Sequence, residues 1–285
     1  AKVGTAKTWI ALERQKEAKE LLTKLQTTHP NEPRVFYWLA RVEDMTGKKK
    51  DAEALYRDAI KKATTPDTGV PPYVALSQLL ASVGRSDEAN KILAEAAEKY
   101  PNSADLAKAR GDVALQTGKL DEAQIQYEAA QKVAPEDLSI RFALGVTFRK
   151  GRKFPEALAV FDHIHGIDPN YPGLATERGL YYEETGQTAE ALQMYQQALD
   201  KAPQDIDLKL RIGSTLVAAG QAKQAEPILK DVVRERGNSA EANHFFGRAL
   251  LLAGSNLNEA MRHLKKAVEL DGNRAEYHLY VGWAA

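Results

Sequence analysis

Few side chains in this 285-residue chain have the type and spacing that chemistry needs. His163 and His165 form a His-x-His pair. To share one metal ion they would have to point the same way, and residues two apart on a helix do not. Both therefore read as solvated or packing residues. His244 and His278 have no carboxylate cluster joining them into a ligand set. Glu183-Glu184 and Asp121-Glu122 read as solvated helix-face charges or helix N-terminal charges, not as an acid/base pair. The basic turns Lys48-Lys49-Lys50 and Arg149-Lys150-Gly151-Arg152-Lys153 read as solvated, with anionic docking as the alternative. Cysteine is absent, which excludes disulfides, thiolate metal sites and cysteine nucleophiles. The glycines follow a long-range register and form no phosphate-cradling loop. No catalytic, metal or cofactor site is expected.

The bulk composition agrees. Thirty-nine Lys and Arg balance 39 Asp and Glu for a formal net charge of +0, which argues against a generally basic nucleic-acid binder or an acidic tail. Hydrophobic residues make up 44% and charged residues 27%, enough for a long core. No stretch approaches the 18 or so consecutive apolar residues of a membrane span, so no membrane insertion is expected. The first residues, AKVGTAKTWIALERQ, show no signal-peptide apolar core and no initiator Met, so a segment of a longer protein is expected. A cysteine-free chain suits a reducing compartment, which slightly favours the cytoplasm, although periplasmic proteins can lack cysteine too.

The elements that could position a site emerge from an internal repeat. Ala191 is followed four residues on by Tyr195 and twelve on by Pro203. The same spacing holds for Ala18, Leu22, Pro30; Ala89, Leu93, Pro101; Ala123, Tyr127, Pro135; and Ala157, Phe161, Pro169. Weaker copies are Ala52 with Tyr56, Ala225 with Leu229, and Ala260 with Leu264, where Gly237 and Gly272 replace the proline in the last two. Successive alanines are 34, 37, 34, 34, 34, 34 and 35 residues apart. Gly47, Gly84, Gly118, Gly186 and Gly220 lie five residues before their alanines, and Gly254 six. Arg152 takes that column in the fifth copy. A small residue lies twelve before at Ala40, Ser77, Gly111, Gly145, Gly179 and Gly213, and Gly247 and Gly282 extend that column.

Each column has a physical reason. Apolar residues at three- and four-residue steps, as in Ala18, Leu21, Leu22 and Leu25, predict amphipathic helices. The glycine turns the chain between two helices. The small residues let the two helices approach, the aromatic or leucine fills the space beside them, and the proline ends the second helix. Pro155 suits a first helical turn. Pro227, about one turn in, predicts a kink or a late helix start. Thr65–Pro72, rich in Thr, Pro and Gly, predicts a longer loop between two copies.

With these columns the chain resembles the tetratricopeptide repeat family, best in Gly179, Tyr182, Gly186, Ala191, Tyr195, Ala198 and Pro203. The resemblance covers the whole chain in a bacterial multi-repeat style. It implies an all-α, right-handed α-solenoid of stacked helix-turn-helix units. The units fall at about 1–32, 33–69, 70–103, 104–137, 138–171, 172–205, 206–239 and 240–274, with a partial unit at 275–285. The family's usual first-helix tryptophan is missing, with only Phe36 and Tyr73 as aromatics there.

The resemblance also implies a concave groove lined by first helices, holding an extended peptide or helix of another protein. The expected lining is Arg34, Tyr37, Trp38 and Arg41; Val74 and Gln78; Lys108 and Asp112; Phe142 and Val146; Thr176, Glu177 and Leu180; Leu210, Arg211 and Ser214; His244, Phe245 and Arg248; and Tyr280 and Trp283. Aromatics and arginines are the types enriched at interface hot spots. The competing reading places Phe142, Phe245 and Trp38 in the core. The clamp with which co-chaperones of the family hold acidic tails is absent, because Asp112 and Ala143 stand where asparagines are needed. So is the asparagine ladder of the sugar-transferring member: that column reads Trp38, Ala75, Ala109, Ala143, Glu177, Arg211, Phe245. The implied function is a non-catalytic scaffold, possible settings being secretion, pilus, motility or polarity assemblies. The alternative is a substrate-recruiting arm of a larger enzyme such as a glycosyltransferase. Self-association through the array ends is a further option.

Overall fold

The structure, a computed structural model, describes residues 2–284. These form α1 Lys2–Ala11, α2 Gln15–Thr28, α3 Pro33–Met45, α4 Lys49–Lys62, α5 Pro66–Ser82, α6 Ser86–Lys99, α7 Ala104–Gln116, α8 Leu120–Val133 and α9 Leu138–Lys150. There follow α10 Phe154–Ile167, α11 Leu174–Glu184, α12 Thr188–Lys201, α13 Ile206–Ala218, α14 Ala222–Glu235, α15 Ala240–Ala253, α16 Leu257–Leu270 and α17 Ala275–Ala284. No strand occurs among the described residues. The chain divides into two compact units between Val160 and Phe161.

Both units are stacks of helical hairpins, an all-α repeat fold. In the first, α3 packs on α4 and α7 on α8, while α1, α3, α5, α7 and α9 lie side by side. In the second, α11 packs on α12, α13 on α14 and α15 on α16, and α13, α15 and α17 adjoin in turn. Helix starts differ along the array. Several first helices open on a side-chain cap: Ser103, Asp205 and Ser239 accept from the Leu106, Leu208 and Ala242 amides at 3.3, 3.0 and 3.2 Å. Most second helices follow a tight turn, and the N-cap residues Lys48, Arg85, Lys119, Gln187 and Gln221 supply no such bond, whereas Asn256 caps α16 by accepting from the Glu259 amide at 3.0 Å. The turn is made by the glycine column, where φ runs from 66° at Gly254 to 80° at Gly47. Arg152 holds the same left-handed conformation at φ 58°, and so does Glu13 in the first hairpin.

The alanine and aromatic/leucine columns form the core. Ala18, Ala52, Ala89, Ala123, Ala157, Ala191, Ala225 and Ala260 are fully buried, as are Leu22, Tyr56, Leu93, Tyr127, Phe161, Tyr195, Leu229 and Leu264. Each large side chain contributes about 1.5–3 kcal/mol by leaving water. The glycines of the first helices make room for them. A β-carbon at Gly179 would lie 2.3 Å from the Tyr195 ring, at Gly213 2.5 Å from Leu229, and at Gly111 2.6 Å from Tyr127.

One local expectation fails and another is narrowed. Thr65–Pro72 is not a loop: α5 begins at Pro66 and carries the surplus residues as an extra helical turn. Thr65 starts it, its amide donating to the Thr68 hydroxyl at 3.4 Å. Pro66 occupies the first helical position, where its missing N–H is harmless. A β-carbon on Gly69 would meet the Tyr100 hydroxyl at 2.1 Å, so the glycine is there for packing. α14 starts at Ala222 and continues through Pro227, which removes the late start from the two alternatives expected there.

Candidate functional site

The first unit brings six of the expected lining residues to one place. Tyr37 and Arg41 of α3, Val74 and Gln78 of α5, and Lys108 and Asp112 of α7 line a cavity of about 300 Å³. Val70, Pro71, Ala75, Asp105 and Ala109 complete its lining. A neighbouring cavity of about 290 Å³ shares Arg41, Ala75 and Gln78 and reaches Asp44, Met45, Lys49 and Tyr56. Gln78 is exposed, and Tyr37, Arg41, Lys108 and Asp112 are half-buried. Lys108 and Asp112 bond each other at 2.9 Å, and Asp112 also accepts from the Tyr127 hydroxyl at 2.8 Å. Arg41 forms no ion pair among the described residues.

The quartet on α3 does not act as one cluster. Trp38 turns toward α1, with Lys7 over its ring at 5.8 Å, and packs on the core at that end. Only its edge contact with Tyr37, at 5.1 Å between centroids, ties it to the cavity. Arg34 is exposed beside Glu32 at 3.6 Å. Phe142 and Val146 on α9 are half-buried and line neither cavity.

In the second unit, Thr176, Leu210, Arg211 and Ser214 line a cavity of about 260 Å³ with Asp205, Asp207 and Glu241. Its charges are largely engaged. Arg236 binds Asp207 in a two-armed contact, and Arg211 reaches Glu183 at 3.0 Å. Glu177 and Leu180 are half-buried and outside it. Farther along, Arg248 lies over the Tyr280 ring at 4.3 Å and the Phe245 ring at 5.5 Å, and donates to Glu276 at 2.9 Å. Trp283 is 69% exposed and stands edge-on to Tyr280 at 5.9 Å. His244, expected in the lining, is buried at 1% exposure, its ring 4.4 Å from that of Tyr277. Burial holds its pKa below the ordinary histidine value although Glu276 pulls the other way. It is a core residue, because α17 covers it.

A tetratricopeptide repeat family model matches residues 10–67, 74–126 and 109–172, and a second one matches residues 182–245. The chain belongs to the tetratricopeptide repeat (TPR) family. Among curated relatives, cellulose synthase operon protein C of Pseudomonas fluorescens is 29% identical over 168 residues, 56% of this TPR chain and 13% of that protein. Human protein O-mannosyl-transferase TMTC1 is 32% identical over 92 residues, 32% of this chain and 10% of that one. The TPR chain thus spans 10–16% of the length of the curated relatives it matches. The crystal structure of the Cut9–Hcn1 hetero-tetramer of the APC/C superposes with a TM-score of 0.74 at 15% identity, over 98% of this chain and 54% of that one. At that identity the likeness shows the fold alone.

Sequence reasoning missed one TPR residue of consequence. Glu183, expected to be a solvated helix-face charge, accepts from the Tyr195 hydroxyl at 2.6 Å, from Arg211 at 3.0 Å and from the Thr215 hydroxyl at 3.3 Å. It knots α11, α12 and α13 together. The usable signal was its position eight before the repeat alanine, facing a tyrosine four after it. Among the described residues no group of three or more His, Asp or Glu could hold a metal ion, and no helix is long and apolar enough to cross a membrane.

Proposed function

We propose that this TPR scaffold holds an extended segment or helix of a partner protein across α3, α5 and α7, and performs no chemistry on it. The carrying observation is the 300 Å³ cavity, to which three successive first helices each contribute side chains. Tyr37 offers an amphipathic ring of the kind that anchors interfaces, and Gln78 offers an amide at low burial. The setting we propose is a bacterial secretion, pilus, motility or polarity assembly. The bacterial part of that setting is supported by the similarity to cellulose synthase operon protein C of Pseudomonas fluorescens.

The test is selection of random dodecapeptides displayed on phage against the immobilised chain, followed by titration of the selected peptides. Tyr37→Ala with Gln78→Ala should weaken them by about 2–4 kcal/mol, as hot-spot truncation does, with the helical circular dichroism signal kept. Unchanged affinity would remove this face from consideration.

A second reading, a recruiting arm of a larger enzyme, is supported by the similarity to a stretch of an O-mannosyl-transferase. A catalytic domain in the full reading frame of the gene would favour it. So would a Tyr37→Ala, Gln78→Ala protein that keeps turnover of a small acceptor but loses turnover of a protein acceptor.

A further inference from the structure

The face across α3, α5 and α7 continues into a third cavity, of about 700 Å³. That cavity shares Val70, Pro71 and Asp105 with the 300 Å³ cavity, which shares Arg41, Ala75 and Gln78 with the 290 Å³ one. The three follow one another along α5, from Pro66 and Asp67 at its start to Ala75 and Gln78 near its end. Val70, Pro71 and Val74 give this trough an apolar wall.

Its charges are unevenly distributed. At the Gln78 end Asp44 is held by Lys49, so Arg41 is the cation left over. In the middle Lys108 and Asp112 answer each other. At the Pro66 end Asp67 and Asp105 are exposed and form no ion pair among the described residues. They lie in the first turns of α5 and α7, where the helix dipole favours a carboxylate but supplies no cation. Asp137 is engaged there as the cap of α9, accepting from the Ser139 amide at 2.7 Å. Lys99, the lysine of that lining, is directed to the end of α4, with its ammonium 3.5 Å from the Ala63 carbonyl and 5.3 Å from the centre of the Tyr100 ring. The trough is thus acidic at one end, basic at the other and internally paired between them.

We propose that the trough takes an extended partner segment that places a lysine or arginine side chain at Asp67 and Asp105 and an aspartate or glutamate side chain at Arg41. This rests on the reading that a partner lies across α3, α5 and α7, and it fixes the conformation and charge pattern of that partner. A helix with its side chains is about 10–12 Å across, wider than the 300 Å³ middle cavity can seat, so the extended form is the one that fits. From Asp67 to the Ala75–Gln78 stretch beside Arg41 is about 15 Å at the helical rise. An extended chain covers that distance in about four or five residues, whereas a helix needs about ten. Both charged ends are open to water, so they set register and choice of partner more than affinity.

The phage-displayed dodecapeptides provide the test. The wild-type chain should enrich peptides that pair one basic and one acidic position about four or five residues apart, in a single order. Selection on Arg41→Gln should lose the acidic position and keep the basic one, and selection on Asp67→Asn with Asp105→Asn should do the reverse. Synthetic copies, acetylated and amidated to remove terminal charges, give the magnitude. Replacing the acidic residue of a copy by glutamine should weaken binding to wild type about threefold to tenfold in dilute salt, and hardly at all to Arg41→Gln. Added salt should shrink the difference. The peptide-side substitutions need no protein variant, so they decide the matter even where a variant folds poorly. Several results would overturn the polar trough and leave the partner-binding face standing. These are peptides that depend on Tyr37 and Gln78 but carry no charge pattern, only one of the two charges, a spacing of about ten, or a pattern that the Arg41 and Asp67 with Asp105 variants leave intact. If no selected peptide depends on Tyr37 or Gln78, the trough and the face fail together.

Discussion

The tyrosine layer of the second unit and that of the α3–α4 hairpin in the first start from the same repeat column and end in opposite electrostatic states. In the second unit Glu183 closes a network of Tyr195, Arg211 and Thr215 across three helices. In the first, Tyr56 is just as buried, but its hydroxyl is unmet, Asp44 has turned to Lys49, and Arg41 stands uncompensated. The backbone is the same in kind, so the fold did not require the cap. A repeat that closes its own charges contributes stability, whereas one that leaves a buried donor unmet forgoes that contribution.

The comparison breaks most visibly at its two carboxylates. Glu183→Ala should destabilise the second unit by about 2–3 kcal/mol, since it orphans the buried Tyr195 hydroxyl and unpairs Arg211 and Thr215. Asp44→Ala, at the matching position, removes a partly exposed pair with Lys49 and should cost about 0–1 kcal/mol. Urea unfolding of the two variants decides it. Equal losses would mean that the Glu183 network is no stronger than a surface ion pair.

Next in size is a sign reversal between two helical glycines. Alanine is the better helix former by about 1 kcal/mol. Gly4 in α1 has nothing within 4 Å of an added β-carbon, so Gly4→Ala should stabilise by about 0.5–1 kcal/mol. At Gly179 the β-carbon would sit 2.3 Å from the Tyr195 ring, which Glu183 and the core hold in place. There the overlap should outweigh propensity, for a net loss of about 1–3 kcal/mol in the same urea assay. Two gains of the same sign would show that the Tyr195 ring yields freely.

What the sequence could convey follows from which forces are periodic. The Gly179–Tyr195 contact repeats as Gly111–Tyr127 and Gly213–Leu229, so spacing alone exposed it. Turn residues were legible because a left-handed φ restricts residue type, although Glu13 and Arg152 show that the restriction can be overridden. Thr65–Pro72 misled because Pro and Gly have two uses: Pro66 opens a helix and Gly69 admits a tyrosine, yet their composition is that of a loop. The face was legible as a set of positions but not as a set of directions. Trp38 and Tyr37 are adjacent on α3, and only the packing of Lys7 and the α1 side sends Trp38 away from the cavity. Whether a carboxylate bonds a tyrosine or a lysine depends on one methylene and one neighbour, as Glu183 and Asp44 show, and periodicity carries no trace of that.

The smallest effect is also the sharpest discriminator, because it turns on a single oxygen atom. Tyr127→Phe removes a donor from Asp112, which keeps its bond to Lys108, so a loss of about 1 kcal/mol is expected. Tyr56→Phe removes a hydroxyl that has no partner. The phenylalanine ring fills the same volume, and the buried-polar penalty disappears, so stability should stay level or rise by up to about 1 kcal/mol. Measured together by urea unfolding, the two substitutions should shift the midpoint in opposite directions or leave Tyr56→Phe at the wild-type value. A loss at Tyr56 matching that at Tyr127 would mean that its hydroxyl is already satisfied in solution.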